Sequence, residues 1–486
     1  MNIYNYLIRY FKVNYSLIIA FSLFIILELP FLDNSRPILV DEAWYANPSY
    51  NFVISHSFNN TNVGFGGNGL IVFSIYLSTY FYIFGASLFT ARLSSFFLGL
   101  ISILIVRKLL KIFNASEFNI FLSLSFFIFA NLYLSIFKIA RPEALAFTLS
   151  LCLLLSLYYY LKRNYSTKFL LLLIFISFLA LNSHPNSAII ILLTFIIILY
   201  FIIKNSEYKK IYHLVLLTTG VAFSSFFLIF IISLNNNVSL NDSLLTVMQR
   251  SSATSSFLEN LISKINVTFD YFILSTRIIT FLPQILLMAA GLFYFKNYKF
   301  LFGFSLCGIV SLSIAFIFIS SIAFIYIYPY VFVFSVFVLS LLLGAVEERK
   351  LIKKIILVFV ISVISLNIIA YITLTKKTYD PEINKKKKEI NSLLPQNSTI
   401  ISGPAFWFIS PAKDIKAWEY FKDIDELKKN KNFYIINCDK FSNDNLSDKN
   451  SIAQFNLINS SYNADTLLSK NSNIYGNIYL IKFTNK

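Results

Sequence analysis

Apolar runs of about 20 residues recur along this chain from Tyr15 to Leu374. A helix of that length crosses a hydrocarbon core of about 30 Å. The pattern predicts an α-helical polytopic membrane protein, with spans near 15–32, 89–106, 118–137, 142–161, 168–183, 186–203, 211–233, 271–294, 300–319, 322–345 and 355–374. Composition agrees, with 57% hydrophobic and only 13% charged residues, where a soluble domain carries about a quarter charged. The first run follows the basic stretch "MNIYNYLIRYFK" and has no small-residue cleavage site after it. It reads as a retained helix that also directs insertion.

The net charge of +17 does not point to nucleic acid. Its lysines and arginines sit in short clusters between apolar runs, which is a topology signal. "RKLLK" (107–111), "KRNYSTK" (162–168), "KNSEYKK" (204–210), "KNYK" (296–299) and "EERKLIKK" (347–354) share the cytoplasmic side with Arg9 and Lys12 on one condition. The apolar stretch 69–85 must not cross. The charge pattern therefore predicts about eleven spans plus one outer juxtamembrane helix at 69–85. The alternative is that 69–85 is an ordinary span and the N-terminus lies outside. Three cysteines and three histidines are scattered, without metal or disulfide spacing. The absence of an internal repeat disfavours a secondary transporter.

That topology sends the first loop (33–88), "KIARPE" (138–143), "NSHPNS" (182–187), the loop 234–270 and the tail from Thr375 to the outer side. The predicted division is a transmembrane catalytic domain over 1–375 and a small extracytoplasmic α/β domain over 376–486. The second begins with a lysine-rich linker and helix, "TKKTYDPEINKKKKEINSLLP", and carries strand-like runs "STIISG" (398–403), "NFYIINC" (432–438) and "IYGNIYLIKF" (474–483). "DIDELKKNKN" between them reads as helical.

The first loop contains "RPILVDEAWYANPSY" (36–50), with Asp41 and Glu42 side by side in a chain whose first 375 residues hold twelve acids. A helix is expected to start there, and adjacent helical residues do not face one target. One carboxylate can enter a cleft while the other orients the loop or caps the helix. Arg141 and Glu143 flank Pro142 at an outer helix start, a place that suits an anchor and a dipole partner as well as a phosphate ligand and a second acid. His184 sits at another outer helix end. Arg92 and Lys138 read as interfacial anchors, with Arg92 also a possible phosphate contact, and Glu28 as a snorkelling side chain. Arg250, Asp270 and Arg277, in or beside the loop 234–270, show no spacing that places them. Tyr326, Tyr328 and Tyr330 in "IYIYPYVFVF" read as an aromatic belt or as a groove for sugar or polyprenyl. The candidate catalytic residues are Asp41 and Glu143; the candidate substrate-binding residues are Glu42, Arg141, His184, Arg92 and Tyr328. Acids and cations gathered on one face suit sugar transfer from a polyprenyl-phosphate donor: a carboxylate takes the acceptor's proton and cations stabilise the leaving phosphate.

The stretches "VDEAWYA", "FGASLFTARLSSFFLGLISILIVRKLL", "ARPEALAF", "NSHPNSA" and "SLLPQNSTIISGPAF" resemble the GT-C superfamily of membrane glycosyltransferases, within it the protein O-mannosyltransferase and lipid A aminoarabinose transferase group (glycosyltransferase family 39-like). The likeness covers about 1–345 in arrangement and the tail loosely. It implies that Asp41 is the catalytic residue, that Glu143 is a second acid where relatives often have Asp, and that 69–85 lies at the outer surface. The chain departs from the family in reading "GFGGNGL" where relatives carry a Pro-rich lead-in, and in lacking Lys or Arg over 321–330. The expected protein is an inverting, polyprenyl-phosphate-sugar-dependent transferase of a bacterial cytoplasmic membrane. Its acceptor is a lipid, glycan or protein. No metal is called for, although some relatives use a divalent ion that Asp41 and Glu143 could hold. The alternatives are a polysaccharide polymerase or ligase, which would lean on arginines of a large outer loop, and a lipid or solute transporter.

Overall fold

The computed structural model describes residues 3–34, 40–56, 58, 70–236, 257–270, 277–293, 298–318, 327–395, 399–402, 404–409, 415–417, 432–438, 462–472 and 476–485. Arg250, Tyr326, the stretch 64–69 and residues 423–431 of the expected tail helix lie outside them.

The helices are α1 (Ile3–Glu28), α2 (Val40–Ser55), α3 (Ile71–Phe84), α4 (Leu88–Ile112), α5 (Glu117–Phe129), α6 (Asn131–Phe137), α7 (Pro142–Lys162), α8 (Thr167–Ser183), α9 (Ala188–Lys204), α10 (Ile211–Asn236), α11 (Phe257–Thr268), α12 (Ile278–Leu292), α13 (Lys299–Phe318), α14 (Tyr328–Ala345), α15 (Lys350–Thr378) and α16 (Ile383–Leu393). Among the described residues each expected span overlaps helix, and seven helices are long and apolar enough to cross a membrane. Helix α3 has 14 residues, a rise of about 21 Å, short of the ~30 Å core. The expected single helix over 118–137 is broken. Ala130 is extended, with φ −69° and ψ 116°, and its carbonyl accepts the Tyr133 and Leu134 N–H groups that restart the chain as α6. No Pro or Gly marks that break in the sequence.

The chain forms two compact units. The first comprises Met1–Leu27, Phe96–Phe137 and Pro142–Tyr371; the second comprises Glu28–Ser95, Lys138–Arg141 and Ile372–Lys486.

The first unit is a helical bundle whose core helix is α14, buried along almost its whole length. Small residues let neighbours approach: Gly99 lies under the Phe24 ring, Gly291 against Ser305 and Gly308 against Met288. Hydrogen bonds link α4 to α7 (Ser102 to Thr148, 2.9 Å) and α12 to α15 (Thr280 to Asn367, 2.5 Å). Unsatisfied polar groups are costly in such a setting, so these pairs fix helix positions.

The second unit combines α2, α3, the start of α4, the stretch 138–141, α16 and a five-stranded sheet. The strands are β1 (Thr399–Ser402), β2 (Ile415–Ala417), β3 (Asn432–Cys438), β4 (Tyr462–Ser472) and β5 (Gly476–Asn485), ordered β2-β1-β3-β5-β4. β1 runs parallel to β2 and β3, while β5 is antiparallel to β3 and β4. Ile401, Phe433, Ile435, Tyr462 and Phe483 form its core, with the Phe433 and Phe483 rings stacked at 5.1 Å. The short turn Pro404–Ile409 sets Trp407 edge-on to Tyr50 of α2 at 5.7 Å. Tyr76 of α3 donates to the Ser94 carbonyl at 2.8 Å. The sheet domain and the first loop thus pack together within this unit.

Candidate active site

Helix α2 begins one residue before the acidic pair, so both acids fall in its first turn, where the unpaired N–H groups favour negative charge. Successive residues rotate by about 100°, and the two carboxylates part company. Glu42 turns inward. Its Oε1 and Oε2 accept from Arg92 Nε and Nη2 at 2.9 and 2.8 Å, and Oε1 also accepts the Ala140 N–H at 2.9 Å. Arg92 Nη1 donates to the Leu32 carbonyl at 2.7 Å. Both side chains are wholly buried. A buried pair needs such bidentate geometry to offset the loss of hydration.

Asp41 turns the other way. Its Oδ2 lies 3.2 Å from Arg141 Nη2; the Asp41 side chain keeps 30% of its surface exposed and that of Arg141 only 5%. Two more pairs complete the cluster. Glu28 is buried 3.9 Å from Lys138, whose ammonium lies 5.8 Å from the Phe31 ring centre. Asp33 lies 3.5 Å from Lys387 of α16. Burial pushes the Lys387 ammonium below its ordinary pKa; Asp33 opposes that shift and Arg92 adds to it. The four acids of the 28–42 segment each meet a cation, and those cations come from α4, from 138–141 and from the tail. This corrects the reading of Glu28 and Lys138 as surface groups, since their mutual charge makes burial tolerable.

The first unit holds a separate group. Glu143 is buried in the first turn of α7, and its Oε1 lies 3.8 Å from His184 Nε2. His184 Nδ1 accepts the Asn186 N–H at 3.2 Å. That bond requires a lone pair on Nδ1, so the neutral ring carries its hydrogen on Nε2, toward Glu143. Tyr330 donates to the Glu143 carbonyl at 3.3 Å. Tyr328 is buried, bonded to Thr268 at 2.7 Å and packed against Phe281 and Phe332. It serves the ring cluster rather than an open groove. Among the described residues no three His, Cys, Asp or Glu side chains gather as metal ligands.

Solved structures share this fold. With ArnT from Cupriavidus metallidurans bound to undecaprenyl phosphate, the chain aligns over 96% of its length and 98% of that chain, at TM-score 0.62 and 11% identity. The fold is GT-C. The apo form of the same ArnT aligns over 96% and 97% at TM-score 0.57 and 11% identity. The Archaeoglobus fulgidus oligosaccharyltransferase, tethered with an acceptor peptide containing the NVT sequon, aligns over 88% and 70% at TM-score 0.52 and 12% identity. No family model matches the sequence, and no curated protein matches it. The likeness is one of fold alone.

The expected site residues divide into two groups. Asp41, Glu42, Arg92 and Arg141 meet in the second unit, while Glu143, His184 and Tyr328 belong to the first. Arg92 is neither an interfacial anchor nor open to solvent; it locks Glu42. Asp33 and Lys387, which carry no motif of their own, join the second-unit cluster. A signal was present: four of the twelve acids before residue 376 lie within 28–42.

Proposed function

We propose that this multi-pass membrane protein transfers a sugar from a polyprenyl-phosphate-linked donor to a hydroxyl or amine of a lipid, glycan or protein acceptor, on the outer face of a bacterial cytoplasmic membrane. Asp41 is the general base. The observation that carries the reading is the contrast within 28–42: Asp41 alone of its four acids combines substantial exposure with a buried cationic partner. The GT-C backbone supports it, since ArnT was solved with undecaprenyl phosphate.

In the proposed step the acceptor O–H or N–H gives its proton to the Asp41 carboxylate. The acceptor atom bonds to the anomeric carbon, whose bond to the phosphate oxygen breaks from the opposite side. The electron pair leaves with polyprenyl phosphate, and the configuration inverts. Arg141 stabilises the departing phosphate. An incoming phosphate competes with Asp41 for the Arg141 guanidinium, so donor binding loosens the ion pair and leaves the carboxylate more basic. Glu42 and Arg92 hold the loop. Glu143 and His184, in the first unit, are given no part in this step.

The test compares membrane lipids and surface glycans by mass spectrometry in a deletion strain, a wild-type rescue and an Asp41→Asn rescue at matched protein level. The expected result is that the asparagine strain accumulates polyprenyl-phosphate-sugar and lacks the same sugar as the deletion. Full rescue by Asp41→Asn sinks the assignment of the base.

A further inference from the structure

A lysine run such as "NKKKK" (384–388) ordinarily serves as a solvated spacer or faces anionic lipid. Here it is divided by helix geometry. Lys385 and Lys388 are exposed. Lys386 turns back to Asp380, at 3.0 Å, and Lys387 reaches Asp33 at 3.5 Å. Two further hydrogen bonds reach Asn34: the Asp380 N–H, just before the helix, donates to the Asn34 carbonyl at 2.9 Å, and Asn384 of α16 donates to Asn34 Oδ1 at 3.3 Å. Asn384 and Lys387, three residues apart, share one face of α16, and Asp380 lies in the link just before that helix. The face that meets the first loop is therefore built into the lysine run.

We infer that α16 is a working part of the transferase, with Lys387 a positioning residue: its contact with Asp33 holds the loop that delivers Asp41. The inference rests on the transferase reading. The cluster explains why the tail must supply this cation. Glu28, Asp41 and Glu42 are matched by Lys138, Arg141 and Arg92. Asp33 is the fourth acid of the segment, and Lys387 is its matching cation. Without Lys387, a largely buried carboxylate loses its counter-charge, and it relaxes by moving the loop toward water. A shift of about 1 Å at a base costs on the order of 100-fold in rate.

The experiment uses the full-length protein in native membranes and in detergent. Transfer is read as consumption of polyprenyl-phosphate-sugar, and binding is read with undecaprenyl phosphate as probe. Lys387→Met is expected to lower transfer about 10- to 100-fold while probe affinity stays within about threefold. Lys387→Arg is expected to recover most of the loss, and Lys385→Ala, on the exposed side of the same helix, to behave as wild type. Transfer near the wild-type rate in Lys387→Met overturns the inference. So does a fall in probe affinity that tracks the fall in transfer, because Lys387 then binds the phosphate itself. If Lys387→Met does not accumulate, the exchange Asp33→Lys with Lys387→Asp decides: recovered transfer supports the pairing, and a folded but inactive exchange overturns it. Asp41→Asn runs in parallel. An active Asp41→Asn brings down the base reading and this inference together; an inactive Asp41→Asn beside a fully active Lys387→Met brings down the inference alone.

Discussion

Glu42–Arg92 and Asp41–Arg141 begin from adjacent residues and use the same two functional groups, yet they occupy opposite environments. The first is sealed: both side chains are fully buried, with three hydrogen bonds to the carboxylate and a fourth from Arg92 to the chain. The second joins a buried arginine, at 3.2 Å, to an acid still open to solvent. One residue of helical rotation separates a group that holds the loop from a group that can meet a substrate. An ion pair that has filled its hydrogen-bonding capacity is structural, because any exchange of partner leaves a buried charge behind. A partly hydrated one can trade its partner for a ligand.

Substitutions can break or sharpen this contrast. The largest effect is expected from Asp41→Asn: a loss of about 100- to 10,000-fold in transfer with unchanged thermal unfolding in detergent. A matching loss of stability would place Asp41 in the same class as Glu42. Next come Glu42→Ala and Arg92→Ala, each expected to destabilise by about 3–5 kcal/mol, read by unfolding in detergent and by the yield of monodisperse protein. Arg92→Lys is expected to recover only part of that, since an ammonium cannot reproduce the two-pronged contact.

Asp380, beyond the last long apolar helix, extends the sealed class to the tail. Burial alone would raise its pKa, but hydrogen bonds from Ser472 (2.7 Å) and Lys386 outweigh burial and hold it below the ordinary aspartate value. A folded-state value below the unfolded one adds stability above the usual aspartate range, and that stability is lost as pH falls through the lowered value. Asp380→Asn is expected to cost roughly 1–3 kcal/mol at neutral pH and to flatten the acid limb of an unfolding-versus-pH series. The smallest effect belongs to Lys353→Ala. Its pair with the exposed Glu347, at 3.4 Å, is expected to contribute under about 1 kcal/mol and to fade with salt.

The three strand-like runs of the tail became β1, β3 and β5 because their apolar residues enter the sheet core. β4 carries no such signal. It is an edge strand whose residues between Tyr462 and Ser472 are largely exposed, so no alternation marks it. The start of α2 at Val40 and of α7 at Pro142 was legible from acid and proline placement. The pairing of Arg92 with Glu42 was not, because the two lie 50 residues apart and nothing local distinguishes an anchoring arginine from a buried one.

The sequence by itself determined that this chain is a multi-helix membrane protein with a small sheet at its end, since apolar run length and strand periodicity are local properties that each segment carries alone. It also determined that Asp41 and Glu42 diverge, because helical rotation allows nothing else. Which carboxylate was sealed and which stayed open was decided only by tertiary structure. Arg92, Ala140, Arg141 and Lys387 come from segments far from residue 42 in the chain, and a charge's burial depends on the partners that packing delivers to it.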